Sequence, residues 1–273
     1  MYIGYLGPEG TYSHQAACQW SSQDDTLVSC RSFFDLFERF VSKKLDKLIA
    51  PIENSIEGSV AIVMDSLLTN PGYIIGECSI AVTHSLLARP GYTHTDTPII
   101  VSHAQALAQC QHYINRRFPT AKLQAVESTA QAAQLAASTA SMMAIGSPVL
   151  AGLYGLDCID EMINDVSPNH TRFIVLSHTP VPRTGNDKTS MIIFPTENKP
   201  GILADTLVYF AQAGINLTKI ESRPARTVLG QYIFYIDFFG HKDDPNIMTI
   251  LSKLSHDYRI LGSYPAYQAP YHD

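Results

Sequence analysis

Residues 169–173 read Asn-His-Thr-Arg-Phe and stand at the mouth of an apolar run, Phe173-Ile174-Val175-Leu176. A polar, turn-rich segment ending on such a run delivers a hydroxyl, a guanidinium and an aromatic ring to one end of a strand, where a cleft can receive them. Successive side chains of a strand point to opposite faces. If Thr171 faces the cleft, Phe173 faces it too and Arg172 turns away. Thr171 is then a hydroxyl able to donate a proton, Phe173 an aromatic wall, and Arg172 either scaffold or, where the strand has not begun, a clamp for a carboxylate. A second concentration of chemistry is Pro51-Ile52-Glu53-Asn54-Ser55-Ile56-Glu57-Gly58-Ser59-Val60, which gathers carboxylates, an amide and hydroxyls just beyond the run Lys47–Ile52. On local grounds alone Asn54 and Ser55 are caps and Glu57 a first-turn partner of a helix dipole.

Further along, Ser102-His103-Ala104-Gln105 and Ser128-Thr129-Ala130-Gln131 both fit a capping box, in which the Ser hydroxyl accepts an amide proton and the Gln reaches back. The first opens a helix directly after Ile99-Ile100-Val101, so its amino end lies at a strand's carboxyl edge, where open α/β sheets bind ligands. Gln105 and Gln109 are four apart on one helix face and address one ligand together; because Gln105 also has the cap to serve, Gln109 is the preferred contact. Gly7-Pro8-Glu9-Gly10-Thr11-Tyr12-Ser13 reads as a tight turn followed by a hydroxyl cap, and it lacks the lysine of a phosphate-binding loop. His84 follows a strand and is a candidate second-layer contact. The histidines show no His-x3-His or His-Glu-x2-His spacing, so no metal site and no cofactor is expected.

The elements that must position these residues alternate. Up to about Ser177, β-type runs at 2–6, 47–52, 76–82, 99–101, 142–145 and 173–176 are separated by helical stretches, the pattern of an α/β sheet flanked by helices. Residues 179–187 are rich in Pro, Gly and polar side chains and read as a linker. Beyond it come strand 189–194, helix 200–213, strand 215–222, strand 231–239, helix 246–257 and strand 258–264: the βαββαβ order of a ferredoxin-like domain. Leu203, Leu207 and Phe210 line one face of the first of these helices. A net charge of −6 with no dense Lys/Arg block gives no footprint for nucleic acid. No run reaches the ~20 apolar residues that span a bilayer, the start lacks a signal-peptide pattern, and five scattered cysteines without a CxxC pair suit a reducing cytoplasm.

Several of these segments resemble, in order, the motifs of the prephenate dehydratases. Gly7–Ser13 is similar to their amino-terminal Gly-Pro-x-Gly-Thr-Phe/Tyr-Ser element, 51–60 to their Pro-Ile-Glu-Asn-Ser-x-Glu-Gly-x-Val block, and 169–173 to their Asn-x-Thr-Arg-Phe signature. Asn198-Lys199-Pro200-Gly201-Ile202-Leu203-Ala204 and Glu221-Ser222-Arg223-Pro224 resemble the two motifs of the phenylalanine-binding ACT domain, the first departing from its usual pattern at Ile202. The resemblance implies a two-lobed catalytic domain of periplasmic-binding-protein type over 1–178, a linker over 179–187 and an ACT domain over 188–273. It further implies Thr171 as the catalytic residue, with Asn54, Ser55, Gln109, Arg172, Phe173, Thr11, Ser102 and Glu127 binding prephenate, and Glu57 supporting the loop. Asn198, Gly201, Leu203, Ala204, Asn216, Leu217, Glu221, Ser222 and Arg223 are expected to bind phenylalanine as allosteric inhibitor. The implied enzyme is monofunctional, because no chorismate mutase helices precede residue 1, and is a homodimer or homotetramer. Arogenate is the rival substrate. A solute-binding protein or an amino-acid sensor is the rival class, but neither accounts for Thr171-Arg172-Phe173.

Overall fold

The computed structural model describes residues 1–93, 97–196, 200–226 and 231–267. The chain forms two compact units, Met1–Val63 with Cys78–Phe173, and Met64–Glu77 with Ile174–Asp273.

The first stretch contributes β1 (Tyr2–Leu6), α1 (Tyr12–Trp20), β2 (Thr26–Cys30), α2 (Phe33–Val41), β3 (Lys47–Asn54), β4 (Gly58–Ser59), α3 (Ala61–Thr69) and β5 (Tyr73–Ala81). The chain then builds β6 (Ser85–Ala88), β7 (Ile99–His103), α4 (Ala104–Gln109), α5 (Gln111–Arg117), β8 (Lys122–Val126), α6 (Thr129–Ser138), β9 (Met142–Gly146), α7 (Val149–Tyr154) and β10 (Asp157–Asp160), and returns as β11 (His170–Ser177). Two sheets result, with orders β2-β1-β3-β11-β5, β4 pairing β3, and β10-β6-β9-β7-β8. The chain leaves the first sheet, completes the second and comes back, which is the two-lobed plan expected. Parallel pairing of β1 with β2 and β3, and of β7 with β8 and β9, requires the intervening helices.

Local chemistry explains where those helices start and which face they bury. Ser32 caps α2 by accepting from the Asp35 amide, an Asp35–Arg39 pair runs along its surface, and Leu36, Phe37 and Phe40 enter the core. Gly4 lets the strand pack tightly here, since a Cβ would lie 2.4 Å from Leu45 Cδ1 and 2.7 Å from Leu36 Cδ1 and both leucines would have to shift. In the second lobe α6 presents Ala130, Ala132, Ala133 and Ala136, all fully buried, so this helix lies close to the sheet without large side chains between them.

The second unit contains β12 (Asp187–Phe194), α8 (Ile202–Gln212), β13 (Leu217–Pro224), β14 (Tyr232–Phe239), α9 (Pro245–Lys253) and β15 (Asp257–Pro265). Its antiparallel order β13-β14-β12-β15 is that of the ferredoxin-like fold expected. Phe210, Phe238, Ile236, Ile247 and Ile250 form its core, with Leu203 and Leu207 packed against it. Phe234, Ile236 and Phe238 point toward the helices, so the alternation turns Ile233, Tyr235 and Asp237 to the other face.

That other face meets residues 64–77. Tyr235 donates its hydroxyl to the Met64 carbonyl at 2.7 Å, Arg223 grips both Asp65 carboxylate oxygens at 2.9 Å, and Arg226 joins the same carboxylate. Arg259 donates to the Leu67 carbonyl, and Lys188 pairs with the buried Glu77 at 2.5 Å. The chain's own residues 64–77 thus cover part of this sheet face. Gly262 in β15 sits so close to this segment that a Cβ would lie 2.1 Å from the Ile74 carbonyl oxygen. Backbone cannot yield as a flexible side chain would, so Gly262→Ala is expected to destabilise the protein by about 1–3 kcal/mol, the usual cost of overpacking. A lowered midpoint in urea unfolding is the measurement, and an unchanged midpoint would show that the segment moves freely.

Candidate functional site

A cleft of about 390 Å³ opens in the first unit, lined by the starts of α1 and α6, one face of α4, the end of β3 and the start of β11. The volume lies in the range of ordinary small-molecule sites, about 300–1,000 Å³. β1 leads to α1, β7 to α4 and β8 to α6, so the cleft stands at the carboxyl edges of strands in both sheets, where such sheets bind ligands.

Its polar wall is a hydrogen-bond chain whose direction can be worked out from its ends. The amides of Ile56 and Glu57 donate to Asn54 Oδ1 at 2.9 and 3.0 Å, which fixes the orientation of that side chain. Asn54 Nδ2 must then donate, to Asn169 Oδ1 at 2.8 Å and Thr171 Oγ1 at 2.9 Å, with a longer approach of 3.3 Å to the His170 carbonyl. At the far end Glu57 Oε1 accepts from Gln109 Nε2 at 3.3 Å, which turns Gln109 Oε1 toward Asn169 Nδ2 at 3.2 Å and His84 Nε2 at 3.1 Å. Both anchors demand the same assignment for Asn169, and His84 is consequently a donor at Nε2. Burial lowers the His84 pKa, opposed by the bond to Gln109, so the neutral ring is favoured. Tyr12 donates to the Thr83 carbonyl at 2.6 Å and stands 3.3 Å from His84 Nδ1; burial raises its pKa and keeps the phenol protonated.

One consequence concerns Thr171. Its oxygen already receives a proton from Asn54, and its own hydroxyl proton has no protein acceptor among the described residues. The proton is therefore available to whatever occupies the cleft. Phe173 lines the cleft beside it and Arg172 does not, as the alternation predicts; Arg172 lies 3.6 Å from Glu53 instead.

The other expected residues divide. Asn54, Gln109, Thr11 and Glu127 line the cleft, and Ser55 and Ser102 do not. Thr11 caps α1 by accepting from the His14 amide at 3.3 Å and donates to the Pro8 carbonyl at 2.9 Å. Ser55 pairs with β11, its hydroxyl accepting from the His170 amide at 2.9 Å. Ser102 is fully buried in β7 and donates to the Ile145 carbonyl at 2.6 Å, so the capping box placed there is corrected: His103 caps α4. Gln105 has no cap to serve and lines the cleft with Gln109. The second box does form, Ser128 accepting from the Gln131 amide while Gln131 Oε1 takes the Glu127 amide. Sequence reasoning left Asn169, Ser13 and Thr129 off the site, although each lies inside a motif it had marked.

In the second unit Asn198 lies outside the described residues. Gly201 starts α8 in a left-handed conformation (φ 92°), Leu203 and Ala204 follow it on the first turn, and Asn216 accepts the Phe239 amide through its carbonyl at 3.1 Å just before Leu217 begins β13. Glu221, Ser222 and Arg223 lie along β13, where Arg223 is engaged with Asp65.

The family profile described as prephenate dehydratase matches residues 3–181, and that of the ACT domain matches 190–256. A prephenate dehydratase of Methanocaldococcus jannaschii is 39% identical, the alignment covering 96% of this chain and 97% of that protein. A bifunctional chorismate mutase/prephenate dehydratase of Neisseria gonorrhoeae is 38% identical over 96% of this chain and 74% of its own length. The crystal structure of the Arthrobacter aurescens prephenate dehydratase in complex with L-Phe superposes with a TM-score of 0.87 at 35% identity, covering 99% of this chain and 94% of that one. Two-lobed fold, motif order and full-length similarity agree, and the chain belongs to the prephenate dehydratase family with a carboxyl-terminal ACT domain.

Proposed function

We propose that the cleft converts prephenate to phenylpyruvate, with Thr171 as the hydrogen-bond donor to the departing hydroxide. The observation that carries this reading is the Asn54-to-Thr171 bond, which leaves the threonine proton without a protein acceptor among the described residues. In the reaction the bond from the ring to the carboxylate breaks and CO2 leaves; its electron pair enters the ring as the opposite C–O bond breaks, and the hydroxide takes a proton to become water. Aromatisation drives the step. The protein has to stabilise charge growing on the hydroxyl oxygen, and a preorganised donor does so more strongly in the transition state than in the ground state. Threonine is about as weak an acid as water and keeps its proton, so the departing hydroxide is protonated from solvent. Asn54, Asn169 and Gln109 hold the donor and the walls, and Phe173 offers the ring a flat apolar surface.

Thr171→Ala is expected to lower kcat by roughly 100-fold or more, the scale for loss of one such donor, while Thr171→Ser keeps part of the activity. Full activity in the alanine variant would remove Thr171 from the mechanism. Asn54→Asp probes the direction of the chain. An aspartate accepts the Ile56 and Glu57 amides as before but has no proton for Asn169 or Thr171, and draws the threonine hydroxyl toward itself. The variant should fold, lose kcat on a similar scale, and show little further loss when combined with Thr171→Ala, since both changes remove the same donation. Additive losses would mean that Asn54 acts on the substrate independently.

We further propose that phenylalanine binds the ACT domain of a dimeric or tetrameric assembly and inhibits the reaction. The L-Phe complex of the Arthrobacter relative supports this, as does the presence of Gly201, Leu203, Ala204 and Glu221 to Arg223 in the matching domain. Inhibition requires phenylalanine to bind the less active arrangement more tightly, so substrate must weaken phenylalanine binding in return. Calorimetry on the intact protein should show phenylalanine binding that weakens in the presence of a substrate analogue. No heat at millimolar ligand, with no loss of activity, would overturn the regulatory reading.

A further inference from the structure

The proposed substrate is a dianion, yet neither Lys nor Arg is among the residues lining the cleft. What lines it instead are the amino ends of two helices. In α1 the first intrahelical bond is Gln15 to Thr11 and the His14 amide is taken by the cap, which leaves the Tyr12 and Ser13 amides without a protein partner among the described residues. In α6 the first bond is Ala132 to Ser128 and Gln131 is capped, which leaves Thr129 and Ala130 in the same state. Beside each pair stands a buried hydroxyl that also lines the cleft, Ser13 at 8% exposure and Thr129 at 9%, and neither has a hydrogen-bond partner among the described residues. A hydroxyl that keeps its oxygen open to a cavity, on an otherwise buried residue, and bonds no protein atom is free for a ligand. Two of them, each on the first turn of a helix and open to one cavity, point to two ligand anions.

Resting on the reading of the cleft as a prephenate site, we propose that the amino ends of α1 and α6 are its two carboxylate subsites, with Ser13 and Thr129 as the side-chain donors. Each subsite joins free amides, one hydroxyl and the positive end of a helix dipole, the set that binds anions at helix starts. The two subsites differ in one respect: Glu127 lines the cleft immediately before the cap of α6. A carboxylate held beside Glu127 is repelled by it, and that repulsion is relieved when the group leaves as neutral CO2. The α6 subsite therefore takes the departing ring carboxylate and the α1 subsite the side-chain carboxylate that remains in the product. Partial charges rather than a full cation hold the departing group without anchoring it.

Phenylpyruvate, which keeps only the side-chain carboxylate, separates the two subsites. Thr129→Val preserves shape and should raise KM for prephenate about tenfold or more, the scale of a hydrogen bond to a charged group, while leaving the phenylpyruvate inhibition constant within about twofold. Ser13→Ala should raise both. Thr129→Ser should restore the wild-type KM, and kcat should change less than KM in Thr129→Val and Ser13→Ala. A misfolded fraction would lower apparent kcat and leave KM alone, so it is distinguishable. Unchanged KM in Ser13→Ala and Thr129→Val overturns the subsites, and equal or reversed effects on phenylpyruvate overturn their assignment. Wild-type turnover of prephenate is measured alongside, and its absence would sink the reading of the cleft rather than the subsites.

Discussion

A single buried side-chain amide organises the polar wall of the cleft. Asn54 takes two backbone protons from the turn that follows β3 and returns its own two to Asn169 and Thr171 at the start of β11. Among the small polar side chains only an amide accepts twice at one end and donates twice at the other. Each such bond is worth about 1 kcal/mol net, but a buried group left unpaired costs about 1–3 kcal/mol. The chain through Asn169 and Gln109 to Glu57 is consequently held together as a unit, because reversing any one amide would strand its neighbours. Turn, strand and helix are aligned by proton direction as much as by packing.

The proposed reaction suits a cleft with neither Lys nor Arg among its described lining residues. A cation beside a carboxylate that must leave as CO2 would bind the ground state best and lose that interaction at the moment of reaction. Arg172, the one guanidinium in the signature run, faces Glu53 on the other side of the strand. Polarity is supplied instead by amides, hydroxyls and a neutral imidazole, each held in place by protein and needing no reorganisation as charge moves to the hydroxyl oxygen.

Much of this was legible in the sequence because several signals are local. Strand alternation alone separated Thr171 and Phe173 from Arg172, and the Ser128 box was readable from spacing. The interior strands β1, β3, β11, β7 and β9 were found, but the four-residue β6 was missed although it is buried; of the sheet edges β5 was found and β2, β8 and β10 were missed. β2, β8 and β10 close the ends of their sheets, and β8 is exposed along most of its length, so they carry no continuous apolar run. The false capping box at Ser102 has a related cause: β7 runs further than its apolar core, to His103, and takes Ser102 into the sheet. The partners of Asn54 were not readable, since Asn169 and Thr171 lie more than a hundred positions away and nothing local specifies which atoms meet. Ser13 and Thr129 were hidden behind their own caps, whose hydroxyls looked like the functional ones.

Helix α3 begins two residues after Ser59, yet from Met64 onward it groups with the carboxyl-terminal unit, where Asp65 is held by Arg223 and Arg226 and the Met64 and Leu67 carbonyls are taken by Tyr235 and Arg259. The segment between β11 and β12 is where a simple exchange of the carboxyl-terminal domain would cut the chain. Here a crossover at that point would bring in foreign partners for a helix that stays behind. Residues 64–77 and the sheet they cover must then be inherited together, and a lineage that swaps one without the other has to re-evolve a buried ion pair and a glycine contact before the hybrid is stable. Modularity in this fold is a property of two separated stretches of chain.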